Sequence, residues 1–155
     1  MNSPGNIIEI KEFSPDVYNH ICLLTKQLTP AGNVPSESEF RSILNSGNTH
    51  LFVIQDDNEI PAGMLSIVIY RTPTGKKAWI EDVVIDDRLR GCGYGKKLVE
   101  HAVAFIHDLG ADTISLTSNP SRVAANQLYR KAGFDRYETN VYKFAGYKKI
   151  PHSAL

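Results

Sequence analysis

The chain has little cysteine and no pair of cysteines at a metal-binding or redox spacing. Its 155 residues include only Cys22 and Cys92, too few for a disulfide framework. The five histidines form no HExxH motif and no tight cluster along the sequence, so we expect no metal site. These absences predict a reduced protein that is held together by its hydrophobic core.

Long apolar runs and an excess of one charge are also missing. No apolar stretch approaches the roughly 20 residues that a membrane span requires, and the N-terminal segment lacks the pattern of a signal peptide. The 17 basic residues balance the 17 acidic ones, whereas a nucleic-acid-binding chain would favour a basic excess. We therefore expect a cytoplasmic protein that binds neither membrane nor nucleic acid. A small acidic ligand would need only local positive charge.

The length of 155 residues predicts one domain over residues 1–155, and the sequence shows no repeat and no linker long enough to divide it. Ser36 followed by Glu39 is a capping-box pattern that opens a helix to about residue 44. Strands are expected at residues 7–13, 49–55, 62–71, 79–85 and 113–117, with one or two more in 134–144, and the other helices at 15–28, 93–109 and 121–132. This order is typical of an α/β or α+β sheet covered by helices.

A glycine-rich loop, RGCGYG at residues 90–95, lies between a predicted strand and a predicted helix. Glycines let a ligand approach the backbone closely, and a helix N-terminus offers unpaired N–H groups and partial positive charge. Lys96 and Lys97 oppose the helix dipole in the first turn, which a bound anion would explain. The pattern indicates a phosphate cradle, although a tight loop whose glycines serve geometry alone would look similar.

The spacing of the loop excludes two common nucleotide motifs. A P-loop requires Ser or Thr where Lys97 stands, and a Rossmann turn requires glycine where Lys96 stands. The loop instead fits RxxGxG and resembles that motif of the GNAT acetyltransferases, in which it binds the pyrophosphate of acetyl-CoA. The resemblance implies a cofactor site formed by Arg90, Gly91, Cys92, Gly93, Tyr94, Gly95 and Lys96.

A second segment, LYRKAGF at residues 128–134, resembles the LYxKxGF signature of the same superfamily. The implied chemistry is attack of an amine on a thioester, and a proton donor would assist the departing thiolate. We interpret Tyr129 as this general acid; the alternative is a core tyrosine with a satisfied hydroxyl. Asn126, one helical turn earlier, could contact the pantetheine arm, but the family pattern places its asparagine about where Arg122 stands.

The strand before the loop has a role implied by the same resemblance. In the family, the backbone at the positions of Val83, Val84 and Ile85 pairs with pantetheine like another strand, and apolar residues there suit a buried strand equally well. The resemblance also implies a central mixed sheet of about 6–7 strands flanked by about four helices.

Two carboxylates, Glu81 and Asp82, interrupt this apolar strand, where charges are costly unless paired or useful. Strand alternation predicts that they point to opposite faces, so that only one could bind or deprotonate the amine, directly or through water. The run EDVV at residues 81–84 resembles a strand of the glucosamine-6-phosphate N-acetyltransferases, where the matching acids position the amino sugar. We assign Glu81 as the catalytic residue of the pair and both acids to substrate binding.

The sequence thus predicts an enzyme that transfers the acetyl group of acetyl-CoA to a primary amine of a small molecule, such as an amino sugar, without a metal. The alternatives are a protein lysine or N-terminal acetyltransferase and a non-catalytic acyl-CoA-binding module. The resemblance to the amino-sugar enzymes further implies a homodimer, in which the C-terminal strand expected at residues 134–144 joins the partner.

Overall fold

A computed structural model describes residues 5–29, 31–144 and 146 of the chain. The described residues form five strands and four α-helices, in the order that the sequence predicts up to residue 132. In chain order these are β1 (Ile7–Glu9), α1 (Pro15–Leu28), α2 (Glu37–Leu44), β2 (Thr49–Gln55), β3 (Pro61–Thr72), β4 (Gly75–Ile85), α3 (Tyr94–Asp108), β5 (Thr113–Ser115) and α4 (Val123–Lys131), with a short 3-10 helix at Asp87–Leu89.

The five strands form one sheet in the order β1-β2-β3-β4-β5. Neighbours are antiparallel except for β4 and β5, which run parallel and pair only at residues 77–79 and 113–115. β5 ends at Ser115, whereas β4 continues to Ile85. On the side of β4 that faces β5, residues 80–85 therefore pair with no strand among the described residues. This divergence opens the sheet beside the second half of β4.

Helices cover both faces of the sheet. Alternating strand residues such as Ile67 and Ile80 pack with α3 and α4, whereas Met64 and Val84 pack with α1 and α2. Full burial of an aliphatic side chain contributes roughly 1.5–3 kcal/mol, so these two layers supply most of the stabilisation. The predicted fold class, a mixed sheet between helices, is confirmed.

The predicted capping box of α2 is confirmed in both of its hydrogen bonds. The Glu39 N–H donates to Ser36 Oγ at 3.3 Å, and the Ser36 N–H donates to Glu39 Oε2 at 2.8 Å. Such a cap stabilises a helix by about 1 kcal/mol. It fixes where α2 begins.

Two expectations require correction. The sheet has fewer strands than predicted, because residues 134–144 contain no strand. A strand needs a partner edge, and this segment pairs with none among the described residues. It exposes Tyr137 and Tyr142, which are 84% and 88% accessible. In addition, β4 begins at Gly75 rather than at residue 79. Within the described residues, no helix has the length and apolar character of a membrane span.

Candidate active site

A cleft of about 600 Å³ lies where β4 diverges from β5. Its walls come from the end of β4, the loop before α3, the first turn of α3, and α4, with the C-terminal end of α1 at one side. Most of the predicted site residues meet here, namely Val83, Val84, Ile85, Arg90, Gly91, Gly93, Tyr94, Gly95, Lys96 and Tyr129. The side chains of Cys92 and Asn126 do not line the cleft, although Cys92 is exposed in the same loop.

The N-terminus of α3 faces this cleft. Gly93, the N-cap residue, has a φ of 84°, a left-handed conformation that glycine adopts without strain. The first turn contains no acidic residue, and the first backbone bond that closes it runs from the Lys97 N–H to the Gly93 carbonyl at 3.1 Å. The N–H groups of residues 93–96 come before the first N–H group that has an acceptor within the helix, so they are available to an anion.

Gly95 permits close packing between α3 and α4. A Cβ atom at this position would lie 3.1 Å from Leu128 Cδ2 and 3.5 Å from Ile85 Cγ1. At Gly91 and Gly93 an added Cβ would meet nothing within 4 Å, so the loop backbone is open to a ligand. The glycines thus serve two purposes: a close helix contact at Gly95 and an accessible backbone in the loop.

The basic side chains of the loop are held by exposed carboxylates. Arg90 pairs with Asp87 at 2.6 Å, and Lys96 pairs with Glu100 at 2.5 Å. Exposed ion pairs contribute little, so exchange of either carboxylate for a phosphate group would cost little. Lys97 instead donates to the Gly5 carbonyl at 2.5 Å and ties α3 to the N-terminal segment.

Tyr129 lies in the wall of the cleft on α4. Its side chain is only 6% exposed, and its ring packs edge-on against Phe134 with centroids 6.3 Å apart. Burial raises the pKa of the Tyr129 hydroxyl, and the positive charge of Arg122 partly opposes that rise. The hydroxyl therefore keeps its proton at neutral pH and is suited to donate it.

Arg122 and Asn126 have different environments. The Asn126 amide donates to the carbonyls of Asn119 and Arg122, both at 2.9 Å, and so braces the start of α4. Arg122 lines the cleft and its Nη2 donates to the Val83 carbonyl at 3.3 Å. Of the two candidates for the pantetheine contact, Arg122 is the one whose side chain reaches the open edge of β4.

Sequence reasoning missed Gln27, at the end of α1. Its Nε2 donates to the Ile85 carbonyl at 2.6 Å, and its Oε1 accepts from the Asp87 N–H at 2.9 Å. One amide thereby fixes both the last residue of β4 and the start of the loop. The sequence contains no motif around Gln27 that could reveal this role, because the contact joins residues 58 and 60 positions apart.

Glu81 and Asp82 sit at a bulge that changes their direction. Met64 pairs with Val84 and Ser66 with Glu81, so a single β3 residue stands opposite both Asp82 and Val83. Asp82 has a φ of 53°, which Asp tolerates better than most residues.

The prediction that the two acids face opposite sides of the sheet is therefore wrong. Ser66 and Asp82 line the same cavity, and Glu81 shares the face of its cross-strand partner Ser66. Both carboxylates are exposed, yet the surrounding protein removes part of their hydration, which raises the pKa of each. The charge of Asp82 raises the pKa of Glu81 further.

Comparison with known proteins identifies the family of the chain. The sequence profile of the Acetyltransferase (GNAT) family matches residues 18–134. The chain therefore belongs to this family and is an N-acetyltransferase, and the members of the family use acetyl-CoA as co-substrate. The family resemblance predicted from the loop and from the LYRKAGF segment is confirmed.

Particular relatives support this membership. The glucosamine 6-phosphate N-acetyltransferase of Arabidopsis thaliana is 30% identical over 129 residues, which cover 78% of this chain and 85% of the plant protein. A crystal structure of the Arabidopsis enzyme superposes with a TM-score of 0.74 and 26% identity, covering 90% of this chain and 99% of that one. An aminoglycoside acetyltransferase from an uncultured soil sample shares the fold at a TM-score of 0.81 and 20% identity, covering 92% and 96% of the two chains.

Proposed function

We propose that this enzyme transfers the acetyl group of acetyl-CoA to a primary amine of a small molecule. The observation that carries the proposal is the cleft beside β4, where an open strand edge, a helix N-terminus and the Tyr129 side chain converge. A ligand with a peptide-like arm, a pyrophosphate group and a thioester has one group for each feature: the arm for the strand edge, the pyrophosphate for the helix N-terminus and the thioester for Tyr129. The names of the relatives, which include an amino-sugar and an aminoglycoside enzyme, favour a small-molecule acceptor.

The residues of the cleft fit such a cofactor. The N–H groups at residues 93–96, with Arg90 and Lys96, would hold the pyrophosphate. The backbone of Val83, Val84 and Ile85 would pair with the pantetheine arm. Arg122, which now donates to the Val83 carbonyl, would turn from this edge toward the cofactor. Acetyl-CoA, when bound, supplies an acetyl group on a thioester whose sulfur leaves as a thiolate.

Two side chains would manage the protons of the transfer. An ammonium has no lone pair, so the acceptor must lose a proton before its nitrogen forms the new C–N bond and the C–S bond breaks. Glu81, directly or through water, accepts that proton. The Tyr129 hydroxyl gives its proton to the departing sulfur, and the second proton that the nitrogen loses as the amide forms restores the hydroxyl. Such acid–base assistance contributes about 10²–10⁴-fold to the rate. Asp82, on the same face as Glu81, would help hold the ammonium.

Two other roles compete with this one: acetylation of protein amines, and binding of acyl-CoA without catalysis. The second would leave a buried tyrosine in the cleft and two carboxylates at the bulge without a purpose. We further propose that the chain works as one domain, in the cytoplasm, and as a homodimer joined through its C-terminal segment. The exposed apolar side chains at residues 137–144 support the dimer.

Thermal shift and thiol release together test the proposal. Acetyl-CoA at a hundredfold excess over its dissociation constant should stabilise the fold by about 2.7 kcal/mol. Thiol release should then depend on an added amine, and small amines should be better acceptors than peptides that carry a free lysine or N-terminus. The absence of a shift with both acetyl-CoA and CoA would remove the proposal. A shift without thiol release on any amine would favour the binding module.

A further inference from the structure

A second cavity of about 470 Å³ lies on the other side of β4, between the sheet and helices α1 and α2. Asp82 lines this cavity, and the next residue, Val83, lines the cofactor cleft, so a single step along β4 separates the two spaces. Its volume is in the range of small-molecule sites. The lining residues are Ile21, Thr25, Asn33, Val34, Pro35, Glu39, Phe40, Ser42, Ile43, Leu51, Met64, Ser66 and Asp82.

The charged groups at this cavity have one sign. The lining contains two carboxylates, Glu39 and Asp82, and Glu81 faces the same side of the sheet. None of the lining residues is Lys, Arg or His. Glu39 is engaged by the Ser36 backbone and hydroxyl, whereas neither Glu81 nor Asp82 forms an ion pair within the described part of the chain.

Groups that could bind a phosphate here are already used. The N-terminus of α2 is closed by its own capping box and has Glu37 and Glu39 in its first turn. The only basic residue of α2, Arg41, stacks on the Phe13 ring at 3.7 Å from its centroid. A phosphate dianion in the cavity would thus face carboxylates and no basic lining residue, whereas an ammonium would relieve the repulsion between the carboxylates.

We infer that this cavity receives the acceptor, and that the acceptor is a small amine carrying a second positive charge and no phosphate. The inference rests on the proposed acetyltransferase function and sets this chain apart from its amino-sugar phosphate relative. One ammonium lies near Glu81 and Asp82 and loses its proton to react, and the second remains charged toward the Glu39 side of the cavity. The loop at residues 33–35, which the Tyr18 hydroxyl holds through the Pro35 carbonyl at 2.8 Å, forms the rim.

Two matched pairs of acceptors test the inference through thiol release from acetyl-CoA. The first pair is a diaminoalkane and the monoaminoalkane of the same length, and the second is glucosamine and glucosamine 6-phosphate. We expect kcat/KM to be about tenfold or more higher for the diamine than for the monoamine, and higher for glucosamine than for its phosphate. Equal values within each pair, or a preference for the phosphate, would overturn the inference while leaving the acetyltransferase function standing.

A variant links the preference to the cavity. Asp82→Asn keeps the side-chain shape and tolerates the left-handed backbone, so we expect it to fold and to lose most of the preference for the diamine. Glu12→Gln, an exposed carboxylate outside the cavity, should keep the full preference. If Asp82→Asn retains the wild-type ratio, the cavity does not select charge.

Binding without turnover separates this inference from the catalytic proposal. In the presence of CoA, which has no acetyl group to transfer, the diamine should raise the melting temperature of the wild type and not that of Asp82→Asn. If this shift occurs and no amine releases thiol, the cavity assignment stands and the catalytic proposal fails. If neither the shift nor thiol release occurs, both fail.

Discussion

At the residue scale, the hydroxyl of Tyr129 is the group on which the proposed mechanism depends most. The Tyr129 side chain is buried in the wall of the cleft, and this burial raises the pKa of its hydroxyl, so the proton is retained at neutral pH. We expect Tyr129→Phe to keep the ring packing against Phe134 and to lower kcat by about 10²–10⁴-fold. Steady-state thiol release measures the effect.

The Tyr129→Phe substitution should lower the rate without weakening CoA binding or the fold. The melting temperature and the affinity for CoA should change little in Tyr129→Phe, because the ring remains. Tyr70→Phe, the same change at a more exposed tyrosine outside the cleft, should leave all three quantities unaltered. Unchanged turnover in Tyr129→Phe would return this tyrosine to a purely structural role.

The carboxylate of Glu81 leads to a prediction about pH. Desolvation and the charge of Asp82 raise the pKa of Glu81, so this residue becomes a base only above the ordinary carboxyl range of about 4. At pH values between the raised pKa of Glu81 and the pKa of the amine, little of the amine is unprotonated, so a base contributes most to the rate. We expect Glu81→Gln to lower kcat/KM chiefly in this interval, with the defect shrinking as pH approaches the pKa of the amine.

The stability of the same variant provides the control. A carboxyl whose pKa is higher in the folded than in the unfolded protein destabilises the fold as it ionises, so stability falls as pH rises through that window. Glu81→Gln should therefore melt no lower than the wild type at neutral pH, and the two should converge below the unfolded pKa. A rate defect of equal size at every pH would make Glu81 a positioning residue and leave the base unidentified.

At the scale of elements, local signals placed most helices and strands. The capping box located α2, and the apolar spacing of residues 15–28 matches α1. Local signals could not predict the bulge at Asp82, because the bulge depends on how β4 pairs with β3. The rule that successive side chains of a strand point to opposite faces holds only where the pairing is regular. Likewise, Gln27 acts on β4 from a distant part of the chain, and no local pattern encodes that contact.

The close packing of α3 against α4 leads to a prediction at Gly95. Its φ is not in the left-handed region, so alanine is allowed there, but the new methyl would press on Leu128 at 3.1 Å, in the cleft wall. We expect Gly95→Ala to raise the dissociation constant of CoA by about tenfold, a free-energy change of about 1.4 kcal/mol. Calorimetric titration with CoA measures this change.

Gly47→Ala is the matched control for Gly95→Ala. An added Cβ at Gly47 would meet nothing within 4 Å, so this variant should bind CoA like the wild type. Gly93→Val, whose φ of 84° disfavours any side chain, should weaken CoA binding more than Gly95→Ala, with additional loss of stability. Normal CoA binding by a folded Gly95→Ala variant would show that the α3–α4 contact does not shape the cofactor site. Normal CoA binding by a folded Gly93→Val variant would place the phosphate cradle elsewhere.

At the scale of the whole molecule, the segment after α4 exposes more apolar surface than a lone chain should. Tyr137, Val141, Tyr142 and Phe144 are between 73% and 88% accessible. β5 has only three residues, and no strand lies on its outer side within the described chain. A second copy could cover both features, because its C-terminal segment could add a strand to the sheet. The sequence predicted a strand here, and the described chain pairs this segment with no strand of its own sheet.

Light scattering tests this arrangement, and we expect twice the chain mass of 17.2 kDa across the micromolar range. Stable dimers bury about 800 Å² on each subunit, so one charge placed in the apolar segment should weaken the association. We expect Tyr142→Asp to shift the protein toward the monomer, because an aspartate in a closed interface loses its hydration without a partner. Leu23→Asp makes the same change at an exposed apolar residue of α1, 62% accessible, and should leave the dimer intact. A monomeric mass for the wild type at every concentration would contradict the dimer, and the exposed segment would then belong to the surface of a single chain.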